Sequence, residues 1–172
     1  SAVESFNDDV LRHLDKGHTR EQALEVIRFA GGLGIALRPS LLPFTPWETR
    51  ASLGELLDIV AGEGLVGRVD PIQYSIRLLV PEGSLLLRHG PMREHLGPFD
   101  PETLSYRWRH PDPEMDRLQC ELACVAADAA SGGWPAEDAF ARVCAVVAPG
   151  GGAHTVRPPE GPSPRLTEDW FC

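Results

Sequence analysis

Three polar residues at alternate positions, Gln73, Ser75 and Arg77, interrupt the otherwise apolar run from Ile72 to Val80. In an extended strand successive side chains point to opposite faces. Ile72, Tyr74, Ile76, Leu78 and Val80 then share one side, and Gln73, Ser75, Arg77 and Leu79 the other. Burying such polar groups without partners costs several kcal/mol each, so their side must meet water, a ligand or a cavity. An edge strand with one wet face and a hollow that receives a ligand both meet this requirement. Four cysteines offer sulfur chemistry. Cys120 and Cys124 are spaced to share a helical face, but a cluster-binding Cys-x3-Cys-x2-Cys would need a third cysteine at position 127, which is Ala127. Set among Leu and Ala, both are expected to be small buried hydrophobes, and so is Cys144 between Val143 and Ala145. The six histidines show no metal-ligand spacing, and no phosphate loop or serine nucleophile elbow occurs. Lys16 is the single lysine.

The elements that must position these residues follow from periodicity. Val10, Leu11 and Leu14 mark a short helix with Gly17 near its end. Thr19 and Gln22 have the spacing of a capping box, and Ala23, Leu24, Ile27 and Ala30 form the inward stripe of a second helix stopped by Gly31, Gly32 and Gly34. The run from Leu33 to Leu42 reads as a buried strand with an irregular exit at Arg38, Pro39 and Ser40. Pro43 to Thr49 is a loop, and a third helix follows with Leu53, Leu56, Leu57 and Val60 inward. With the strand over 72–80, the order strand, helix, strand, helix, strand predicts an α/β fold with a parallel sheet. Ser84 to Arg88 is expected to continue as a short strand, and the proline-rich stretch beyond it is less regular. A helix is predicted from Asp112 to Ala130, with Leu118, Leu122, Val125 and Ala129 inward, and another from Pro135 through Val147.

From Pro149 the pattern changes to Gly and Pro without core-forming periodicity, a flexible tether that ends in Trp170-Phe171-Cys172. The tail expected is therefore 149–172. The 172 residues carry 16 Lys plus Arg against 25 Asp plus Glu, a formal charge of −9. That balance argues against nucleic acid or an anionic membrane as partner, since both require clustered positive charge. No run approaches the ~20 apolar residues of a membrane span, and a cytoplasmic location is expected. The chain opens at Ser1, without Met and directly in patterned sequence, which suggests a segment of something longer.

Val3-Glu4-Ser5-Phe6-Asn7-Asp8-Asp9-Val10-Leu11-Arg12-His13-Leu14-Asp15-Lys16-Gly17-His18-Thr19 resembles the fourth strand and following helix of radical S-adenosylmethionine enzymes. Pro46-Trp47-Glu48-Thr49 lies where that superfamily commonly has a Pro-Gly-Glu-Thr loop, with Trp47 in place of the Gly. Val80-Pro81-Glu82-Gly83-Ser84 is similar to the exit of the sixth strand. The later part, down to Glu168-Asp169-Trp170-Phe171-Cys172, resembles the subgroup with a Cys–Cys/selenocysteine–Ala-Glu-Pro tail. A selenocysteine codon read as a stop would end the chain after Cys172.

The resemblance implies the C-terminal half of a (β/α)6 partial barrel with parallel strands over 1–90, plus a helical extension over 91–148 and a flexible tail over 149–172. It implies that Glu4 meets the ribose hydroxyls of S-adenosylmethionine, Lys16 its methionyl carboxylate, and Ser40 the ribose from the next strand. Gln73, Ser75 and Arg77 would line the lumen near cofactor and substrate, which selects the cavity over the wet edge. Cys172 would act as a redox tail. A [4Fe–4S] cluster is implied, with its ligands upstream of Ser1. The whole enzyme would generate a 5′-deoxyadenosyl radical for hydrogen abstraction, taking an electron from an external donor and acting on a small-molecule or peptide substrate. The alternative expectation is a non-catalytic acidic α/β interaction module with a tethered docking tail.

Overall fold

The computed structural model describes residues 1–150 and 156; Cys172 and most of the expected tail lie outside the described residues. Asn7 and Thr19 start the first two helices for the same physical reason. Each side-chain oxygen accepts an early backbone N–H that has no partner within the helix. Asn7 serves Asp9 at the head of α1 (Asp8–His13), and Thr19 serves Gln22 at the head of α2 (Arg20–Gly32), where the expected capping box is complete. Thr49 and Ser52 form a second such box on α3 (Arg50–Gly62). Leu53, Leu56, Leu57 and Val60 are all buried there, as their spacing predicts.

Helices α1 and α2 connect β1 (Ala2–Glu4) to β2 (Ser40–Leu41), which pair in parallel. Beyond β2, Phe44 forms a parallel bridge with Arg77: the Phe44 N–H donates to Ile76 O at 3.2 Å, and the Leu78 N–H to Phe44 O at 2.8 Å. Of the expected parallel β-α-β-α-β order, β1 and β2 pair as strands, and the third strand is reduced to this isolated bridge. Two of its strands are much shorter than the sequence predicts. Of the run from Leu33 to Leu42 only Ser40–Leu41 is a strand, and Leu33 and Ile35 are exposed.

The strand expected over 72–80 is replaced in its first half by a 3-10 turn, Pro71–Ser75. Pro71 presets the φ that such a turn needs, and the Gln73 N–H closes it onto Asp70 O at 2.9 Å. Consecutive Tyr74 and Ser75 are both buried, so the alternation of faces fails there. Leu85–Arg88, expected to extend a strand, is likewise a 3-10 turn and leads into the single-turn helix α4 (Gly90–Arg93). The proline-rich stretch contains an antiparallel hairpin that the sequence reading lacks, β3 (Leu96–Asp100) against β4 (Ser105–Trp108). Asp100 accepts the Glu102 N–H at 3.1 Å to shape its turn.

Helices α5 (Pro113–Gly132) and α6 (Ala136–Val147) form close to their expected positions. Gly133 ends α5 in the left-handed region at φ 61°, where a Cβ would be strained. The main core joins Val3, Phe6, Ile27, Leu41 and Phe44 to the inner faces of α3, α5 and α6. Adjacent residues of a strand point to opposite faces. Accordingly Leu41 enters this core, while Leu42 packs on a second, smaller cluster of Leu78, Val80, Met92 and Trp108. The side of the short sheet occupied by Leu42 and Leu78 is thus covered by the hairpin and the turns before it.

Cys120 and Cys124 are exposed, contrary to the expectation of burial. Each lies two residues beyond an inward leucine, Leu118 or Leu122, a rotation of about 200° around the helix that carries both thiols to the outer side of α5. Cys144 is half-buried, and desolvation pushes its thiol pKa up to about 11.

Candidate functional site

In parallel α/β sheets ligands bind beyond the carboxyl ends of the strands, where the loops can be shaped without breaking the sheet. At the end of β1 the chain turns sharply, and Glu4 adopts φ 66°. That is the left-handed region, uncommon for any residue with a Cβ and costing roughly 1–2 kcal/mol. Its carboxylate accepts from Lys16 Nζ at 2.9 Å, and both side chains are partly exposed. Lys16 also borders a surface cavity of about 410 Å³ with Asp8, Arg12, Asp15, His18 and Gln22. Ser40 sits at the start of β2, beside β1, where its N–H and hydroxyl both donate to Ser1 O, at 2.8 and 3.2 Å.

The other expected site residues are held by protein groups. Gln73 Oε1 accepts the Leu41 N–H at 2.8 Å and so ties the 3-10 turn to β2. Ser75 is buried and donates to Ile72 O at 3.0 Å within its own turn. Arg77 pairs with Asp116 at 2.6 Å, donates to Trp108 O at 2.8 Å, and lies over the Trp108 ring with Cζ 3.6 Å from the centroid. Glu4 and Lys16 are brought together, whereas Ser40 lies opposite Ala2 at the amino end of the strand pair. Gln73, Ser75 and Arg77 face three different sets of partners and do not converge on a shared cavity.

A buried carboxylate lies at the same end of the sheet and was given no role by the sequence reading. Glu48 is 1% exposed. It accepts from Asn7 Nδ2 at 3.2 Å, from Ser5 Oγ at 3.4 Å and from the Ser52 hydroxyl. Burial raises its pKa; the bonds from Ser52, Asn7, the Thr49 backbone and Ser5 oppose that rise. The group thereby joins the end of β1, the cap of α1 and the first turn of α3. Its backbone carbonyl also meets His110 Nε2 at 2.8 Å. The sequence signal was a lone acid between Trp47 and the capping Thr49, in a loop otherwise short of charge. Nearby, the hydroxyl of fully buried Thr45 and the indole nitrogen of Trp47 have no hydrogen-bond partner among the described residues.

A second cavity, of about 400 Å³, lies between the second half of α5, the link that follows it and the turn at Asp70–Ile72, with Ala126, Ala130, Ile72 and Trp134 among its walls, and is mainly apolar. Among the described residues no group of three or more His, Cys, Asp or Glu side chains is arranged to hold a metal ion, and no described helix is long and apolar enough to cross a membrane. No protein-family model, curated protein or solved structure matches this chain.

Proposed function

We propose that the chain is the C-terminal part of a cytoplasmic radical S-adenosylmethionine enzyme, contributing the last strands of a partial (β/α)6 barrel and part of the cofactor site. The observation that carries this reading is Glu4, held at φ 66° beyond a parallel strand with its carboxylate 2.9 Å from the single lysine. A strained residue persists where its surroundings over-determine it, and such residues cluster at functional sites. The parallel β1–β2 pair, connected through α1 and α2, agrees with the reading. So does the outer edge of β1, which pairs with no other strand among the described residues.

The donor set fits the cofactor chemically. A carboxylate accepts two ribose hydroxyls, and an ammonium pairs with the methionyl carboxylate as a point charge. The direct Glu4–Lys16 contact does not prevent this. A partly exposed pair contributes about 0–1 kcal/mol, whereas hydrogen bonds to charged groups contribute about 1.5–3 kcal/mol each, so a ligand bonding both can separate them. Ser40 stands outside this donor set, opposite Ala2 at the amino end of the strands with its hydroxyl on Ser1 O. The described cysteines do not fit a [4Fe–4S] cluster: Cys120 and Cys124 are on the outside of α5 and Cys144 is on α6. The cluster is therefore assigned to another part of the enzyme. When bound, S-adenosylmethionine supplies a sulfonium for reductive cleavage and hydrogen abstraction from a substrate. This chain's residues hold and orient the nucleoside and amino-acid ends.

Equilibrium binding of S-adenosylmethionine to the full-length enzyme tests the reading. Glu4→Gln and Lys16→Met should each weaken binding about 10- to 100-fold, the equivalent of one charge-assisted hydrogen bond. Unchanged affinity in both variants overturns the assignment.

A second reading, an acidic interaction module, is favoured by one feature. Val26, Phe29 and Leu33 form an exposed stripe along α2, and Ile35 extends it. Charged substitutions at Val26 and Phe29 that abolish association with a partner while S-adenosylmethionine fails to bind would favour the module.

A further inference from the structure

Three aromatic rings from separate segments meet at the end of α1. His13 stacks on Trp47, with centroids 4.2 Å apart and planes 18° from parallel. His89, between the 3-10 turn and α4, approaches Trp47 edge-on at 5.8 Å. The two imidazoles bond directly, His13 Nδ1 to His89 Nε2 at 2.9 Å. None of these side chains is used by the site at Glu4 and Lys16.

An imidazole–imidazole hydrogen bond needs one N–H and one lone pair. The pair can therefore be neutral or carry one extra proton. A second extra proton leaves two N–H groups and two positive charges face to face at 2.9 Å, so the contact cannot survive it. Besides this contact the segment is anchored by Met92, fully buried in the second cluster, and by Leu86 and Leu87, partly buried against that cluster. No residue of Leu85–Arg88 is fully buried, Leu85 is 81% exposed, and Met92 is the only buried residue of α4. Segments with so little buried apolar surface open locally at low free-energy cost.

We propose that His13 and His89 form an acid-sensitive clasp: the shared hydrogen bond holds the 85–93 segment against α1 and Trp47, and full protonation of the pair releases it. The charged groups around His13 are Arg12 and Asp9 from its own helix and His89 from the facing segment; Trp47 contributes an uncharged face. Arg12 and Asp9 are paired with each other at 2.6 Å, which limits their net effect. Burial lowers the His13 pKa, the nearby His89 and Arg12 lower it further, and Asp9 opposes them. Release therefore belongs to mildly acidic conditions, below the ordinary imidazole value of about 6.5. Opening uncovers Trp47, whose indole nitrogen lacks a partner in the closed form, and with it the loop beyond β2.

The test is an NMR titration of the histidine rings between pH 8 and 4, with amide hydrogen exchange across residues 84–95 measured in parallel. The clasp predicts that His13 and His89 titrate as a coupled pair in two separated steps. It also predicts that exchange in the segment, corrected for intrinsic pH dependence, rises at least about tenfold over the second step. In His89→Gln, which keeps a donor and an acceptor but cannot charge, that acid-linked rise should vanish and the His13 pKa should move up. Independent titration of both rings near their ordinary value, or exchange that does not follow the second step, overturns the proposal. Persistence of the rise in His89→Gln also overturns it.

Discussion

Glu48 offers the sharpest test of how the strand ends are held. Glu48→Ala removes the acceptor of the Asn7 side-chain amide, and one of the partners of Ser5 and Ser52. A buried donor left unsatisfied costs about 1–3 kcal/mol. The emptied volume adds to that, since large-to-small changes in cores leave cavities that close only partly. Relief from burying a carboxylate acts in the opposite direction. The two hydroxyls can turn towards other acceptors; Ser52 already reaches Thr49 O at 3.1 Å. The net loss expected for Glu48→Ala is about 2–4 kcal/mol. Glu48→Gln keeps the shape and one acceptor and removes the buried charge, so about 0–1 kcal/mol is expected.

The pH dependence has a definite sign. Because the native pKa is raised, the folded protein holds this proton more tightly than the unfolded chain does. The stability contributed by the group is full below its ordinary value of 4.5 and is lost as pH rises through the raised native value. Urea unfolding of wild type and Glu48→Gln at several pH values between 4 and 8 measures this as a difference. The gap should shift in favour of the variant with rising pH. A gap that stays flat, or a Gln variant as damaging as Ala, refutes the account of a burial-strained carboxylate.

Alkylation followed by mass spectrometry should modify Cys120 and Cys124 rapidly in the folded protein and Cys144 far more slowly, because a thiol with pKa about 11 is about one part in a thousand thiolate at pH 8. Equal rates would contradict the burial of Cys144. Arg77→Lys should lower stability by about 1–2 kcal/mol in urea unfolding, since an ammonium cannot stack on Trp108 while also reaching Asp116 and the Trp108 carbonyl. Thr45→Val should leave stability unchanged or raise it by about 1 kcal/mol, because it removes a buried hydroxyl with no partner at nearly constant volume. A loss above 1 kcal/mol would mean that the hydroxyl is bonded.

Helices were the legible part of this chain, because their signals are local. Thr19 and Gln22 close the capping box within one turn, and the inward residues of α3 and α5 repeat with the helical period. The strands were less legible because each is only a few residues long and depends on partners far away. The alternation from Ile72 to Val80 fits a strand, yet Pro71 starts a turn that buries Tyr74 and Ser75 side by side. The hairpin was hidden by Pro98 inside β3, a residue that a strand tolerates only at an edge or irregularity. The register of β3 against β4 does shift between Leu96 and Phe99.

The site divides in the same way. Glu4 and Lys16 were singled out separately, and the fold joins them because α1 and the turn after it bring the lysine back over the end of β1. Arg77 shows the opposite case. A cation on a polar face fits a wet edge or a lumen, and the resemblance selects the lumen, but α5 supplies Asp116 and the hairpin supplies Trp108, and together they satisfy it. Neither partner is near it in sequence. Ligand binding and tertiary pairing require the same side-chain chemistry, so residue types alone do not distinguish them. The distinction rests on whether the partners leave capacity unused. Arg77 has an ion pair, a carbonyl and an aromatic face, whereas Glu4 and Lys16 share one partly exposed contact that hydroxyls and a carboxylate could replace. Binding should therefore be far more sensitive to changes at Glu4 and Lys16 than at Arg77, and folding should show the reverse.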